Sequence, residues 1–364
     1  MISTAARCAN LVARHRLDRS ATSVDEAVED LVALHSSDPI TPHLAALARV
    51  RDYAVEDLEN AFDRSRLWRL HAMRRTLWVA PADRVGMLQA SVGDAVAAKE
   101  RRRLEGWAEG LDLAALEESV LAAIAAEPGV HTRELTTRIP ALQAKVRVGS
   151  GKWAQEAPVG SRLLYVLAME AKLRRTRSSG TWKSSQYGWA TATVVRPARA
   201  AEELIRRYLE RFGPATRTDV RWWTGLTAAQ VDGALSEVAE EVRLETGAAW
   251  VARGFGLQAA SGVALLPGLD PTPMGWKERD WFLGDHGAAL FDRNGNVGPT
   301  IWVEGRIVGG WAVSGEGRVL TKLLEDVGDV AEAAVAAEAE RLGAWLGGTS
   351  ATPRFRTPLE KSLV

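Results

Sequence analysis

Apolar positions in this chain fall into short blocks whose spacing alternates between helix and strand. Ala27, Leu31 and Leu34 recur one turn apart behind Ser23, a hydroxyl N-cap with Glu26 three residues on. A capping box followed by a 3.6-residue period predicts an amphipathic helix over 24–34. Ser36-Ser37-Asp38-Pro39 should end it, because a proline disfavours helical geometry in the residue before it. A second helix is expected from about Thr41-Pro42, and a third over 55–63 with Leu58 and Phe62 on one face. Residues 67–79 then read as two short strands, giving three helices followed by a strand pair.

That order returns twice. A helix over 113–127 stops at Pro128-Gly129, and Thr132 caps a short helix over 133–138. The polar, Gly-bearing stretch 145–158 reads as a loop, the apolar run 160–173 as a helix, and 173–182 as a hairpin. In the third round a helix over 202–212 halts at Gly213-Pro214 and Thr216 caps residues 217–224. Gly225 turns the chain, Thr227 caps 228–240, and a strand pair closes around Thr246-Gly247. Capped helix, Gly turn, capped helix and hairpin make the clearest helix-turn-helix signal in the chain.

Beyond Gly256 the period shortens. Val263-Ala264-Leu265-Leu266 is a buried-strand run, Asn294-Gly295 is a turn signal, and Glu304-Gly305 joins two β-rich segments as a tight hairpin. Close-spaced strands suggest a small barrel, closed by an Ala-rich helix over 329–345. The predicted class is α+β: tandem winged helix-turn-helix modules followed by a small β-barrel-like domain. The expected boundaries are 1–110, 111–196 (the module with a basic wing), 197–255 and 256–347, with a loose tail at 348–364.

Composition narrows the function less than the pattern does. The 364 residues are 46% apolar and 25% charged, as in a globular protein of several domains. The single cysteine, Cys8, excludes an internal disulfide and a multi-Cys zinc site, and the six histidines show no paired metal spacing. No metal and no cofactor are expected. No apolar run is long enough to span a membrane, and the first residues lack the apolar segment of a secretory leader. A cytoplasmic, nucleoid-associated protein is therefore expected. The 46 basic and 46 acidic residues cancel, unlike the basic balance of many DNA binders. The cations are nonetheless clustered, in Arg101-Arg102-Arg103 and Arg174-Arg175-Thr176-Arg177.

A winged helix lays one helix in a groove of duplex DNA and swings its hairpin over the phosphates. The second hairpin carries Arg174, Arg175 and Arg177, with Trp182 and Lys183 beyond the turn. Strand alternation would put Arg175 and Arg177 on one face and Arg174 on the other. Arg74 and Arg75, in the first strand pair, are further candidates for DNA contact. His71 and Trp78 lie in the same strand pair, Trp78 reading as core.

Three segments bring a family into view: the run from Leu34 to Pro39, the run from Met73 to Val79, and the long run from Leu265 to Trp281. Asp292-Arg293-Asn294-Gly295-Asn296 and Gly309-Gly310-Trp311 extend the likeness. Together they resemble the winged-helix DNA-binding family that contains the AlkZ-type DNA glycosylases. The resemblance implies three winged-helix modules and a β-barrel around duplex DNA, and removal of bulky or crosslinked N-alkylated purines by monofunctional base excision. It also implies a Gln-x-Gln or Gln-x-Asp signature where this chain has His35-Ser36-Ser37. His35 can take a proton from the attacking water, Ser37 can orient that water, and Asp38 can stabilise an oxocarbenium-like sugar. Those three are the candidate catalytic residues, at what is expected to be a helix end. Two alternatives stay open: the segment is ordinary turn chemistry with Asp38 bonding its own backbone, or the protein is a non-catalytic DNA binder, a regulator or a damage-shielding factor. The polar cluster Asp270, Lys277, Glu278, Arg279 and Asp280 is expected to be an ion-pair scaffold.

Overall fold

The computed structural model describes residues 1–149, 151, 154–351, 353 and 356–364. It is a mixed α/β protein whose chain folds into two compact units: one of residues 1–58 and 201–364, the other of residues 59–200. Compactness therefore groups the first helices with the C-terminal half, while the expected modules follow one another along the chain.

In the first unit, Ser3 caps the helix Thr4–Arg14, and Ser23 caps Val24–Asp30 by accepting from the Glu26 amide. The second helix is shorter than the apolar spacing suggested. Val32 takes a left-handed backbone (φ 63°), which a β-branched residue adopts only at a cost, and so the chain leaves the helical path before Leu34. Leu34–His35 is instead a short strand, followed by the helix Ile40–Leu47. His35, Ser37 and Asp38 thus precede a helix rather than end one.

The helix-turn-helix signal corresponds to observed elements. Thr216 and Thr227 make capping boxes at Arg217–Thr224 and Ala228–Val238, and Gly225 sits between them at φ 75°. The antiparallel pair Ala239–Leu244 and Gly247–Ala252 follows. C-terminal to it, the strands Val263–Leu266, Thr300–Val303, Arg306–Val313 and Val319–Leu323 form one antiparallel sheet in that order. Glu304 and Gly305 turn its central hairpin, both at positive φ (49° and 78°), as a twist-matched two-residue turn requires.

The expected barrel is corrected here. The first and last strands of this sheet do not pair with each other, so among the described residues the sheet is open. The helix Asp329–Leu346 packs against it instead of a closing strand. The supposedly loose tail is also corrected. Thr357 caps the helix Pro358–Leu363, whose Leu359 and Glu360 are buried, because Leu359 has apolar sheet to cover.

The unit's interior holds Trp223, Trp302, Trp311 and Phe282, each essentially water-free. Burial of side chains of this size stabilises the fold by roughly 1.5–3 kcal/mol apiece. Among them lies an ion pair: Arg49 donates to both carboxylate oxygens of Asp270 at 2.9 and 2.7 Å, and to Thr272 Oγ1 at 2.8 Å, all fully buried. The polar residues around 270 reach different partners. Asp270 pairs with Arg49, the amides of Lys277 and Glu278 cap Asp219, and Arg279 lies over Trp222 and Phe291.

In the second unit the strands Leu77–Pro81, Leu67–His71, Leu173–Ser178, Tyr187–Thr191 and Val130–His131 lie side by side in that order. The helix Val159–Met169 packs on them through Leu163, Leu164 and Leu167, above a core that includes Leu104, Ile124 and Trp189. Residues 145–158, expected as a loop, contain the antiparallel strands Lys145–Val148 and Gln155–Pro158. Val146 and Val148 are buried between exposed Lys145 and Arg147, an alternation that a reading of polarity alone passes over.

Candidate active site

The segment after Leu34–His35 is built to present side chains. Asp38 Oδ1 accepts the Ile40 amide at 3.2 Å, so the carboxylate is held over the first turn of Ile40–Leu47. A helix N-terminus favours negative charge there. Thr41 Oγ1 donates to the Gly268 carbonyl at 3.1 Å, tying the start of this helix to the loop before Asp270. That loop is strained: Leu269 lies at φ 61°, a conformation rare for a bulky residue and concentrated at functional sites. Its amide donates to Val297 O at 3.0 Å, which brings up the turn from Asp292 to Asn296.

These three segments enclose a cavity of about 100 Å³ lined by Ser37, Asp38, Thr41, Gly268, Leu269, Asp292, Asn296, Val297 and Pro353. Its described lining holds two carboxylates, two hydroxyls and an amide, and no cation. Burial alone would raise the Asp292 carboxyl. Hydrogen bonds from the Asn296 amide and side chain and from the Asn294 and Gly295 amides outweigh it and hold the group below the usual carboxylate range. The site therefore favours a cationic or positively polarised group.

The structure brings Ser37 and Asp38 to this cavity and leaves His35 out of its wall. Ser37 is exposed, Asp38 mostly buried, and His35 buried on the strand behind. Ser36 has its Oγ buried with no hydrogen-bond partner among the described residues. Thr41, Asp292 and Asn296 went unnamed as site residues. The Asn-Gly signal marked their turn, but nothing in the sequence said that the turn would face Asp38.

The expected DNA contacts lie in the second unit and do not behave as one set. Arg74 and Arg75 are exposed, in a turn where both adopt positive φ (54° and 65°). Arg177 is exposed and holds Asp63 at 3.0 Å, and Arg174, half-buried with its guanidinium 5.8 Å from the Trp68 ring centre, lines the same 350 Å³ cleft. Trp182 and Lys183 sit in the loop between the two strands, Lys183 exposed. Arg175 departs from expectation. A bulge between Arg175 and Ser178 breaks the alternation, so Arg175 points into the unit, 9% exposed, while Arg177 points out. Trp78 is core, its indole donating to Met73 O. Burial, then the nearby Arg175 charge, lowers the His71 pKa to about 3, so its imidazole is neutral. Among the described residues no helix is long and apolar enough to cross a membrane.

A family model described as DNA glycosylase AlkZ-like matches residues 28–345. The chain is 26% identical over 161 residues to the interstrand DNA cross-link repair glycosylase of Streptomyces sahachiroi, an alignment covering 41% of this chain and 43% of that protein. The solved structure of the Streptomyces sahachiroi DNA glycosylase AlkZ matches with a TM-score of 0.71, over 97% of this chain and 99% of that one, at 19% identity.

Proposed function

Because the chain belongs to the AlkZ-like DNA glycosylase family, we propose that it binds duplex DNA and hydrolyses the N-glycosidic bond of N-alkylated purines, bulky or crosslinked ones included. The observation that carries this reading is the Ser37–Asp38 cavity, whose described walls offer carboxylates and hydroxyls but no cation. An N7-alkylated guanine carries positive charge and leaves without prior protonation. Water oxygen bonds to the sugar C1′ as the C1′–N9 bond breaks. The bonding pair goes to the purine, which departs neutral, and the water's proton passes to a base. In this reading Asp38 stabilises the developing oxocarbenium, Ser37 orients the water, and its proton passes through the Ser37 hydroxyl to His35 behind the cavity wall. The three helix-and-hairpin segments act as winged-helix modules, with Arg74, Arg75, Arg174, Arg177, Lys183 and Trp182 on the DNA.

The test is base release. Duplex bearing N7-methylguanine is incubated with the protein and heated in alkali, and strand scission above the no-enzyme control is expected. Binding to that duplex without scission would end the enzymatic reading. It would leave the second one, a non-catalytic DNA binder, which the histidine and serines at the glutamine signature favour. Absence of binding to any duplex at low salt would sink both.

A further inference from the structure

Buried charge is expensive unless paired, and natural interiors pair it. In the second unit a cluster of cations includes two, Arg162 and Arg175, that lack that pairing among the described residues. Arg69 and Arg175 face each other across adjacent strands, and His71, two residues from Arg69, lies on the same face. Arg69 donates to the Thr176 carbonyl at 3.0 Å and to Ser178 Oγ at 3.3 Å, and it pairs with the buried Glu59 carboxylate at 3.8 Å. Arg175 is nine-tenths buried, yet its guanidinium makes no hydrogen bond or ion pair among the described residues. It lies 5.2 Å from the Trp189 ring centre with one terminal nitrogen wholly enclosed.

The helix Val159–Met169 covers this face and presents Arg162 and Tyr165, three residues apart and so on one side of the helix. Tyr165 meets His71 edge-on at 5.0 Å. Arg162 Nε is buried without a partner among the described residues, and its guanidinium lies 6.0 Å from the Trp107 ring centre. His71 Nδ1 is likewise buried and unpartnered. The guanidiniums of Arg75, Arg162 and Arg175 and the carboxylate of Glu100 all act on the Tyr165 hydroxyl. That carboxylate is already committed to Arg103 at 2.6 Å and Arg75 at 3.6 Å. Arg75 follows Arg74 in a turn where both hold left-handed backbone, a cost that persists at sites under functional constraint.

We propose that Arg162 and Arg175, flanked by Arg75, His71 and Tyr165, form a receptor for one phosphodiester anion of the DNA backbone. Guanidinium forks match the paired oxygens of a phosphate, and neutral His71 can donate a hydrogen bond to one of them without adding charge. The anion supplies the counter-charge that Arg162 and Arg175 lack among the described residues. The proposal rests on the duplex-binding reading above, but it assigns the role to an inward-facing cluster rather than to the projecting hairpin.

The test is equilibrium binding of the full chain to a fluorescein-labelled, undamaged duplex across a range of NaCl. Arg162→Gln removes one charge at a partly exposed position. It is expected to weaken binding about 3- to 10-fold at low salt and to reduce the slope of log K against log salt by about 0.9. Arg175→Lys keeps the charge but loses the fork, and should weaken binding with less change in slope. A folded Arg162→Gln protein with wild-type affinity and slope overturns the receptor, whatever becomes of Arg175→Lys. Weakened binding of Arg162→Gln at unchanged slope also overturns it, since the contact then is not to phosphate. In either case wild-type binding leaves the broader reading intact. Failure of the wild-type protein to bind at any salt removes that reading and the receptor with it.

Discussion

Asp38 is where local backbone chemistry and proposed catalysis meet. Its Oδ1 holds the Ile40 amide, the ordinary work of an aspartate before a helix, and the same bond keeps the carboxylate at the cavity. Asp38→Asn retains the hydrogen-bonding shape and removes the charge, so duplex affinity should stay within about twofold while base release falls about 100-fold or more. Single-turnover scission assays read both. His35→Ala separates the two remaining roles: unchanged base release would leave the water's proton to Asp38 and remove His35 from the chemistry. At His71 the prediction concerns stability. The folded-state pKa of about 3 lies below the unfolded value near 6.5, so the folded state binds fewer protons between those limits. Its contribution is complete above pH 6.5 and is lost as pH falls towards 3, by about 2 kcal/mol between pH 6.5 and 4.5. His15, buried and pushed the same way by burial and then by Arg49, adds to the trend. The wild-type urea midpoint should be lower at pH 4.5 than at pH 6.5, and His71→Gln should flatten part of that fall. An unchanged slope in the variant would contradict the assignment.

The elements show which sequence signals are self-sufficient. Thr216, Gly225 and Thr227 were legible because each acts within four residues: a hydroxyl accepts an amide three positions on, and a glycine tolerates φ 75° at a helix end. Thr227→Ala should accordingly cost about 1 kcal/mol, measured as a shift in chemical denaturation. The helix expected over 24–34 ends earlier than its apolar period suggests, because Ala27, Leu31 and Leu34 fit that period even though Val32 breaks the helix. Leu34 is buried, as predicted, but as strand rather than helix. Buried apolar positions are shared by both structures, so periodicity over one turn does not distinguish them. The hairpin of Arg174 and Arg177 failed differently. Alternation places side chains correctly until a bulge inserts a residue, and no residue type between Arg175 and Ser178 announces one.

Across the whole chain, the long-range contacts carry what local pattern could not. Arg49 and Asp270 are 221 positions apart and fully buried together, joining the segment after Ile40–Leu47 to the loop that walls the cavity. Asp270→Ala leaves a buried guanidinium uncompensated and should cost about 3–5 kcal/mol, seen as a large fall in the unfolding midpoint. Near-wild-type stability would mean that the guanidinium finds other acceptors. The chain's neutral net charge is unlike the basic balance of many DNA binders, yet charge balance is blind to arrangement. Among the described residues Arg162 and Arg175 have no carboxylate partner, in a protein with as many acids as bases.

Helix caps, turn glycines, the strand pairs around tight turns and the family likeness were settled by residue type at short spacing, because their energetics are local. The open edge of the C-terminal sheet, the docking of Pro358–Leu363, the inward turn of Arg175 and the meeting of Asp38 with Asp292 and Asn296 were decided only by tertiary structure. Each depends on burial or on a partner hundreds of positions away, and the cost of leaving apolar surface wet or charge unpaired is set by the assembled neighbourhood rather than by any one segment.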